Sequence, residues 1–151
     1  MKVTTKGKYA VTALLDMAVY GQSGPTTVHS IAQRQGISPI YLERLTGLMR
    51  AKGLLRSIKG PGGGYELTRL TTEITVADIM QAIEESVDVT TCKGLENCNY
   101  GDSCLTHSLW EELNTRIMHY LQSVTLNDLV QRPKIQSIIH RQEQILLNQV
   151  K

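Results

Sequence analysis

Residues 54–68 read Leu54-Leu55-Arg56-Ser57-Ile58-Lys59-Gly60-Pro61-Gly62-Gly63-Gly64-Tyr65-Glu66-Leu67-Thr68. Two short strand-like runs, 54–58 and 65–68, flank a tip made of four glycines and a proline. The spacing predicts a β-hairpin of the kind that forms the wing of a winged helix. Its tip has almost no side chains, so its backbone can lie close against a DNA groove, with Lys59 at the root supplying positive charge. A Gly-rich loop can also cradle a nucleotide phosphate. That requires a helix N-terminus directly after the glycines, whereas here a β-like run follows and no Gly-Lys-Ser/Thr is present. The wing is the reading that fits.

Working outward, the preceding segment predicts three helices. Tyr9, Ala10, Ala13, Leu14, Met17 and Ala18 recur at helical spacing, and Gly21 and Gly24-Pro25 end the run. A second, short helix follows Thr27, with Val28, Ile31 and Ala32 inward and Gly36 as its stop. Gly36-Ile37-Ser38-Pro39 then turns tightly into a third helix, over about residues 38–52. Ser38 suits the N-cap and Pro39 the first helical position, where its missing N–H costs nothing. Leu42, Leu45, Leu48 and Met49 form the expected buried stripe, and Gly53 follows it.

Two helices joined by a short Gly-containing turn match the helix-turn-helix pattern, although ordinary αα-hairpins share it. In that motif the start of the second helix faces base edges in the major groove. Ser38, Ile40, Tyr41, Glu43, Arg44 and Arg50 are therefore the candidate DNA contacts on the helix, and Lys59, Gly60, Pro61 and Gly62 those on the wing. The arginines suit guanine or phosphate, and Tyr41 a phosphate oxygen. Glu43 suits a cytosine amino group or the rejection of wrong sequences. Charge agrees: residues 1–70 hold ten Lys/Arg against three Asp/Glu, net +7, while residues 71–151 hold six against eleven, net −5. A basic half is the electrostatic footprint of a polyanion binder, though a merely solvated charged surface can show the same excess.

In the acidic half, Thr75-Val76-Ala77-Asp78 resembles a capping box, and Thr125-Leu126-Asn127-Asp128 repeats it. Leu105, Leu109, Leu113, Ile117, Tyr120, Leu121 and Val124 make a sustained stripe. It predicts a helix of about 20 residues, or roughly 30 Å. That exceeds what a small winged helix needs to cover itself. Leu109, Leu113, Ile117, Tyr120 and Leu121 are therefore dimerisation candidates, with a plain core helix as the alternative. Past Arg132-Pro133, the tail 132–151 keeps helical spacing among Gln and Asn.

Within the acidic half lies Cys92-x5-Cys98-x5-Cys104-x2-His107, which contains all three cysteines of the chain. A packing Cys sits among apolar residues, because a free thiol behaves as a small hydrophobe. These lie instead among Lys93, Gly94, Glu96, Asn97, Asn99, Gly101 and Asp102. Thiolates plus an imidazole in such a loop are what zinc or an iron–sulfur cluster requires. A close Cys-x2-Cys knuckle, frequent in zinc sites, is absent. The odd cysteine count and the lack of a signal peptide suggest a reducing cytoplasm, and no apolar stretch long enough for a membrane span occurs. An enzyme is not expected, since His29, His119 and His140 have no nucleophile or carboxylate partner at a motif spacing.

Lys6-Gly7-Lys8-Tyr9-Ala10, Arg34-Gln35-Gly36-Ile37-Ser38, Tyr41-Leu42-Glu43, Gly60-Pro61-Gly62-Gly63-Gly64-Tyr65, Glu85-Ser86-Val87-Asp88 and the Cys/His set followed by Leu109-Trp110 carry a resemblance over about residues 1–131. By them the chain resembles the iron–sulfur cluster regulator (IscR) family of bacterial winged-helix transcription factors, with nitric-oxide-responsive repressors (NsrR) as more distant relatives.

The resemblance implies a mainly α fold with a small β-hairpin. The winged helix-turn-helix would span 1–70, and the cluster loop and dimerisation helix 71–131 of the same domain. It implies a homodimer on double-stranded promoter DNA, carrying one [2Fe–2S] cluster per subunit on Cys92, Cys98, Cys104 and His107. The cluster assembly machinery would be the cluster source, and occupancy would set which promoters of assembly genes are repressed or activated. Relatives with other clusters recruit an acid near the N-terminus; here the only acid before Glu43 is Asp16, and Lys8 is basic. Two positions depart from the family: Lys59 where arginine is usual, and the apolar Ile40. Lysine reads a narrow minor groove less well than arginine.

Overall fold

The computed structural model describes residues 3–150. Helix α1 (Thr5–Tyr20) starts where the Thr4 hydroxyl accepts the Gly7 N–H, and it ends at Gly21, whose N–H closes onto the Met17 carbonyl. Its buried face is built from Ala10, Ala13, Leu14 and Met17. The small residues let other elements approach closely. Helix α2 (Val28–Gln35) is capped by the Thr27 hydroxyl and stopped by Gly36 in the left-handed region at φ 65°.

Helix α3 (Pro39–Ala51) begins with proline in its first turn. Ser38 occupies the N-cap position, but its hydroxyl makes no capping bond, contrary to expectation. Ser38 is exposed, so solvent can satisfy the first-turn N–H groups instead. Leu42, Leu45 and Met49 are buried as the spacing predicts, whereas Leu48 is 36% exposed. The stripe at i, i+3 and i+7 already fills the contact with α1, and Leu48 falls to its edge.

Strands β1 (Leu55–Ile58) and β2 (Gly64–Leu67) pair antiparallel, with Leu55 opposite Leu67 and Ile58 opposite Gly64. The tip is a tight turn in which the Gly63 N–H donates to the Gly60 carbonyl at 2.9 Å. Pro61 at the second position and Gly62 at φ 73° give it type II character. Thr26, in the α1–α2 connection, exchanges two backbone hydrogen bonds with Tyr65, at 2.8 and 2.9 Å, and so fastens the wing to the helices. Gly64 makes this approach possible. A Cβ there would lie 2.5 Å from the Thr26 carbonyl oxygen, at a φ of 153° that side chains rarely adopt. Gly64→Ala is expected to cost about 1–3 kcal/mol and to detach the wing, read as a lower urea midpoint and weaker DNA binding.

Helices α4 (Val76–Ala82) and α6 (Leu126–Val130) both open with complete capping boxes, Thr75 with Asp78 and Thr125 with Asp128. The two starts lie against each other: the Val76 N–H donates to the Val124 carbonyl and the Leu126 N–H to the Ile74 carbonyl, both at 2.9 Å. Ile74, Ile79, Ile83 and Leu126 are completely buried in the same cluster as Leu14, Ile31, Leu42, Leu45 and Met49. One core therefore joins the basic and acidic halves of the sequence.

Helix α5 (His107–Ser123) is the long striped helix, and His107 is its one buried residue. Leu105 was expected in its stripe but precedes the helix and is fully exposed. Helix α7 (Pro133–Gln149) makes the tail helical. It returns to α1 and α2, where Gln142 accepts from the Tyr20 hydroxyl at 2.9 Å and donates to the Gln35 side-chain oxygen at 3.2 Å. Behind this contact is buried Asp16. It accepts from Arg34 at 2.7 and 2.9 Å and from Gln35 at 2.8 Å, while the Arg34 guanidinium lies 4.4 Å over the Tyr20 ring.

Candidate functional site

The cysteine loop leaves α4 through Glu84, at φ 58°, and is built on three more left-handed non-glycine residues: Lys93, Glu96 and Tyr100. Such conformations are uncommon away from glycine and persist where surrounding contacts enforce them. Two side-chain braces hold the loop. Asn114 of α5 accepts the Val89 N–H at 2.8 Å and donates to Asp88 at 2.6 Å. Glu85 accepts both the Thr4 N–H and the Thr4 hydroxyl, each at 2.8 Å. The second brace ties the root of the loop to the first turn of α1.

Within the loop, Cys92, Cys98 and His107 come together, with their donor atoms all within 4.8 Å of one another. His107 Nδ1 lies 3.5 Å from Cys92 Sγ and 3.7 Å from Cys98 Sγ. Cys92 and His107 are buried, at 8% and 4% exposure. Cys104 stands beside this group rather than in it. Its N–H donates to Cys98 Sγ at 3.2 Å, and its own sulfur faces the Thr106 hydroxyl at 3.8 Å.

Burial raises the Cys92 thiol. The backbone N–H groups of Glu96 and Gly94, the Cys98 thiol and the nearby imidazole outweigh that and bring it from 9.0 to about 7. The thiol of Cys104 pushes the Cys98 thiol up, against the Cys104 backbone N–H, which lowers it, and the same thiol–thiol interaction lowers Cys104. Deprotonated thiolate is what a metal binds, so Cys92 is the residue best prepared as a first ligand. Three thiols and one imidazole fit a soft metal or an iron–sulfur cluster, and the donor chemistry excludes a calcium- or magnesium-type site. Sequence reasoning missed Glu96 and Glu111. One oxygen from each joins a second group with His107, again within 4.8 Å. Glu111 was legible as the i+4 neighbour of His107 on α5; Glu96 was not, because loop geometry alone places it.

The candidate nucleic-acid surface is formed by α3 and the wing. Ser38, Ile40, Glu43, Arg44, Arg50, Lys59, Gly60, Pro61 and Gly62 are all exposed, Ile40 by 78%. Tyr41 is half-buried, its ring edge-on to Tyr9 at 5.7 Å between centroids. Arg56 is neutralised by Glu66 at 2.8 Å. Arg44, Arg50 and Lys59 form no ion pair among the described residues, so their charge faces outward. Along α5, Leu109, Leu113 and Tyr120 are exposed, Ile117 and Leu121 half-buried, and Trp110 is 39% exposed. No helix among the described residues is long and apolar enough to cross a membrane.

Comparison with known proteins agrees with this architecture. Residues 3–132 match the Rrf2 family model, described as an iron-dependent transcriptional regulator. The chain is 47% identical over 143 residues to the HTH-type transcriptional regulator IscR of Pectobacterium atrosepticum, covering 95% of this chain and 87% of that protein. It is 48% identical, with the same coverage, to IscR of Photorhabdus laumondii. Among solved structures, T. potens IscR superposes with a TM-score of 0.72 at 38% identity, over 86% of each chain. CymR, the global cysteine regulator of B. subtilis, superposes with 0.74 at 34% identity, over 85% of this chain and 95% of that one.

Proposed function

We infer the function from one premise: the chain belongs to the Rrf2 family of iron-dependent transcriptional regulators. It is a DNA-binding transcriptional regulator of winged-helix type and not an enzyme. We propose that its signal is an iron–sulfur cluster, of the [2Fe–2S] type, held by Cys92, Cys98, Cys104 and His107. The regulated genes on this reading are those of cluster assembly, whose products would supply the cluster. The observation that carries the proposal is the convergence of two thiols and one imidazole nitrogen, with Cys104 tied alongside through its backbone N–H, in a loop braced to a winged helix. When bound, the cluster supplies a redox-active, removable cross-link between the loop and α5.

The protein's own residues account for the rest. Occupancy would fix residues 92–107 against the first turn of α5, and the Glu85–Thr4 brace carries that order to α1. Helix α1 packs on both α2 and α3. Loop order and recognition-helix position are thereby linked through contacts, and occupancy can shift which promoters are preferred. Arg44 and Arg50 on α3 and Lys59 on the wing contact phosphate or guanine, with Ser38 and Tyr41 positioning the helix start and Ile40 meeting apolar base edges. Glu43, exposed and acidic on that face, selects among sequences. The stripe of Leu109, Leu113, Ile117, Tyr120 and Leu121 pairs with a second copy across a palindromic site.

The test is to purify the protein without air, measure colour, iron and sulfide, and footprint apo and loaded forms on the same promoters. A reddish-brown protein whose protected promoters change on loading supports the reading; a colourless, zinc-loaded protein refutes the cluster. In the same assay Lys59→Ala is expected to weaken binding at every site and to reduce the slope of log affinity against log salt by about 1. An unchanged slope would place the wing off the DNA.

A further inference from the structure

The buried imidazole of His107 has two different faces. Nδ1 points at the thiols of Cys92 and Cys98. Nε2 is buried and has no hydrogen-bond partner, yet the nearest carboxylate oxygen, from Glu96, lies 4.0 Å away, and Glu111 joins the same group within 4.8 Å. A buried N–H without a partner costs free energy comparable to a lost hydrogen bond, so an orphan at a functional site calls for an explanation. Both carboxylates lie near this spot: Glu111 is one helical turn after His107, and Glu96, left-handed at φ 55°, has an oxygen 4.0 Å from Nε2.

Resting on the cluster reading above, we propose that His107 offers Nδ1 to the cluster, while Glu96, backed by Glu111, holds the Nε2–H. Glu96 and Glu111 are then positioning residues. A ligand imidazole that donates its other N–H to a carboxylate is fixed in tautomer and ring orientation and becomes a stronger donor. Such an arrangement makes the histidine hold iron longer than an unsupported imidazole would. It also involves residues outside the Cys/His set: Glu96 contributes a loop carboxylate and Glu111 a helix carboxylate on the solvent side of the site. Closing the Glu96 gap takes a small side-chain movement, since Glu96 is exposed and unconstrained by any other ion pair among the described residues.

The experiment labels the protein with histidine carrying 15N at Nδ1 or at Nε2, loads the cluster, reduces it, and records pulsed EPR. A strong coupling from the Nδ1 label and a weak one from the Nε2 label is the expected result; a strong Nε2 coupling overturns the assignment. In parallel, cluster loss to a chelator is timed for wild type, Glu96→Gln and the double variant Glu96→Ala/Glu111→Ala. The double variant is expected to lose its cluster about tenfold faster, within the usual range for such supporting groups. Glu96→Gln, which keeps an acceptor oxygen, should recover most of that loss. Equal lifetimes in all three would overturn the role of the carboxylates. Circular dichroism of each apo variant separates a misfolded chain from a released ligand. Wild-type protein that binds no cluster would sink the functional reading itself, whereas a cluster with Nε2 coupling would sink only this inference.

Discussion

Cys92→Ala is expected to yield a folded protein that purifies without colour and retains at most about a tenth of the wild-type iron, because losing a ligand costs more than losing its 10–100-fold supporting contacts. Cys92 is the most buried of the three thiols and sits next to His107 Nδ1. Its thiol, brought down to about 7, also ionises most readily. Removing it deletes the thiolate best prepared to receive iron and opens the group around which the loop is ordered. The variant should then bind DNA as the apo form does at every promoter, with no change on attempted loading. Iron and sulfide assays and footprinting check this directly. A Cys92→Ala protein with wild-type iron content would remove Cys92 from the ligand set.

Asp16→Ala is expected to lower the unfolding free energy by about 3 kcal/mol, because removing one partner of a buried ion pair strands the other. The Asp16 side chain is fully buried and Arg34 is only 14% exposed. Without the carboxylate, the guanidinium has its stack on Tyr20 but no countercharge, and the Gln35 amide is left with only the long 3.5 Å bond to Gln142. Urea unfolding monitored by circular dichroism gives the number. A double replacement, Asp16→Ala with Arg34→Leu, should cost less than the sum of the two single changes, because no charge is then left unpaired. A loss below about 1 kcal/mol for Asp16→Ala would mean that the pair behaves like a surface salt bridge. Since Gln35 and Gln142 touch the same network, the variant should also loosen α7, seen as faster amide exchange across Pro133–Gln149.

Much of the local architecture was legible because its causes act over a few residues. Thr75/Asp78 and Thr125/Asp128 announce helix starts through bonds that span three positions. Gly60-Pro61-Gly62 announces a turn through backbone preferences alone. The candidate ligands were legible for a related reason: thiols in a polar, Gly-rich segment have no packing role to explain them. Ser38, Leu48 and Leu105 lie differently from what their local signals predict. In each case a plausible local signal lost to its surroundings: an exposed cap position, a stripe already filled, and a chain not yet helical at Leu105.

The sequence by itself determined the order of the helices, the hairpin with its glycine tip, the exposed basic face and the residue types of the Cys/His site. Short-range rules of capping, periodicity and turn chemistry suffice for these. Only the tertiary structure decided that Thr26 would fasten the wing, that Asp16 would be a buried counterion, that α7 would dock on α1 and α2, and that Glu85 would join the loop to α1. The folded geometry of the loop placed Cys104 beside the Cys92–Cys98–His107 group and Glu96 4.0 Å from the unpartnered nitrogen of His107. The wing, α7 and Glu85 contacts join residues far apart in the chain, as Thr4 with Glu85 and Tyr20 with Gln142, and such pairs meet only because the common core around Leu14, Leu45 and Ile79 brings their elements together.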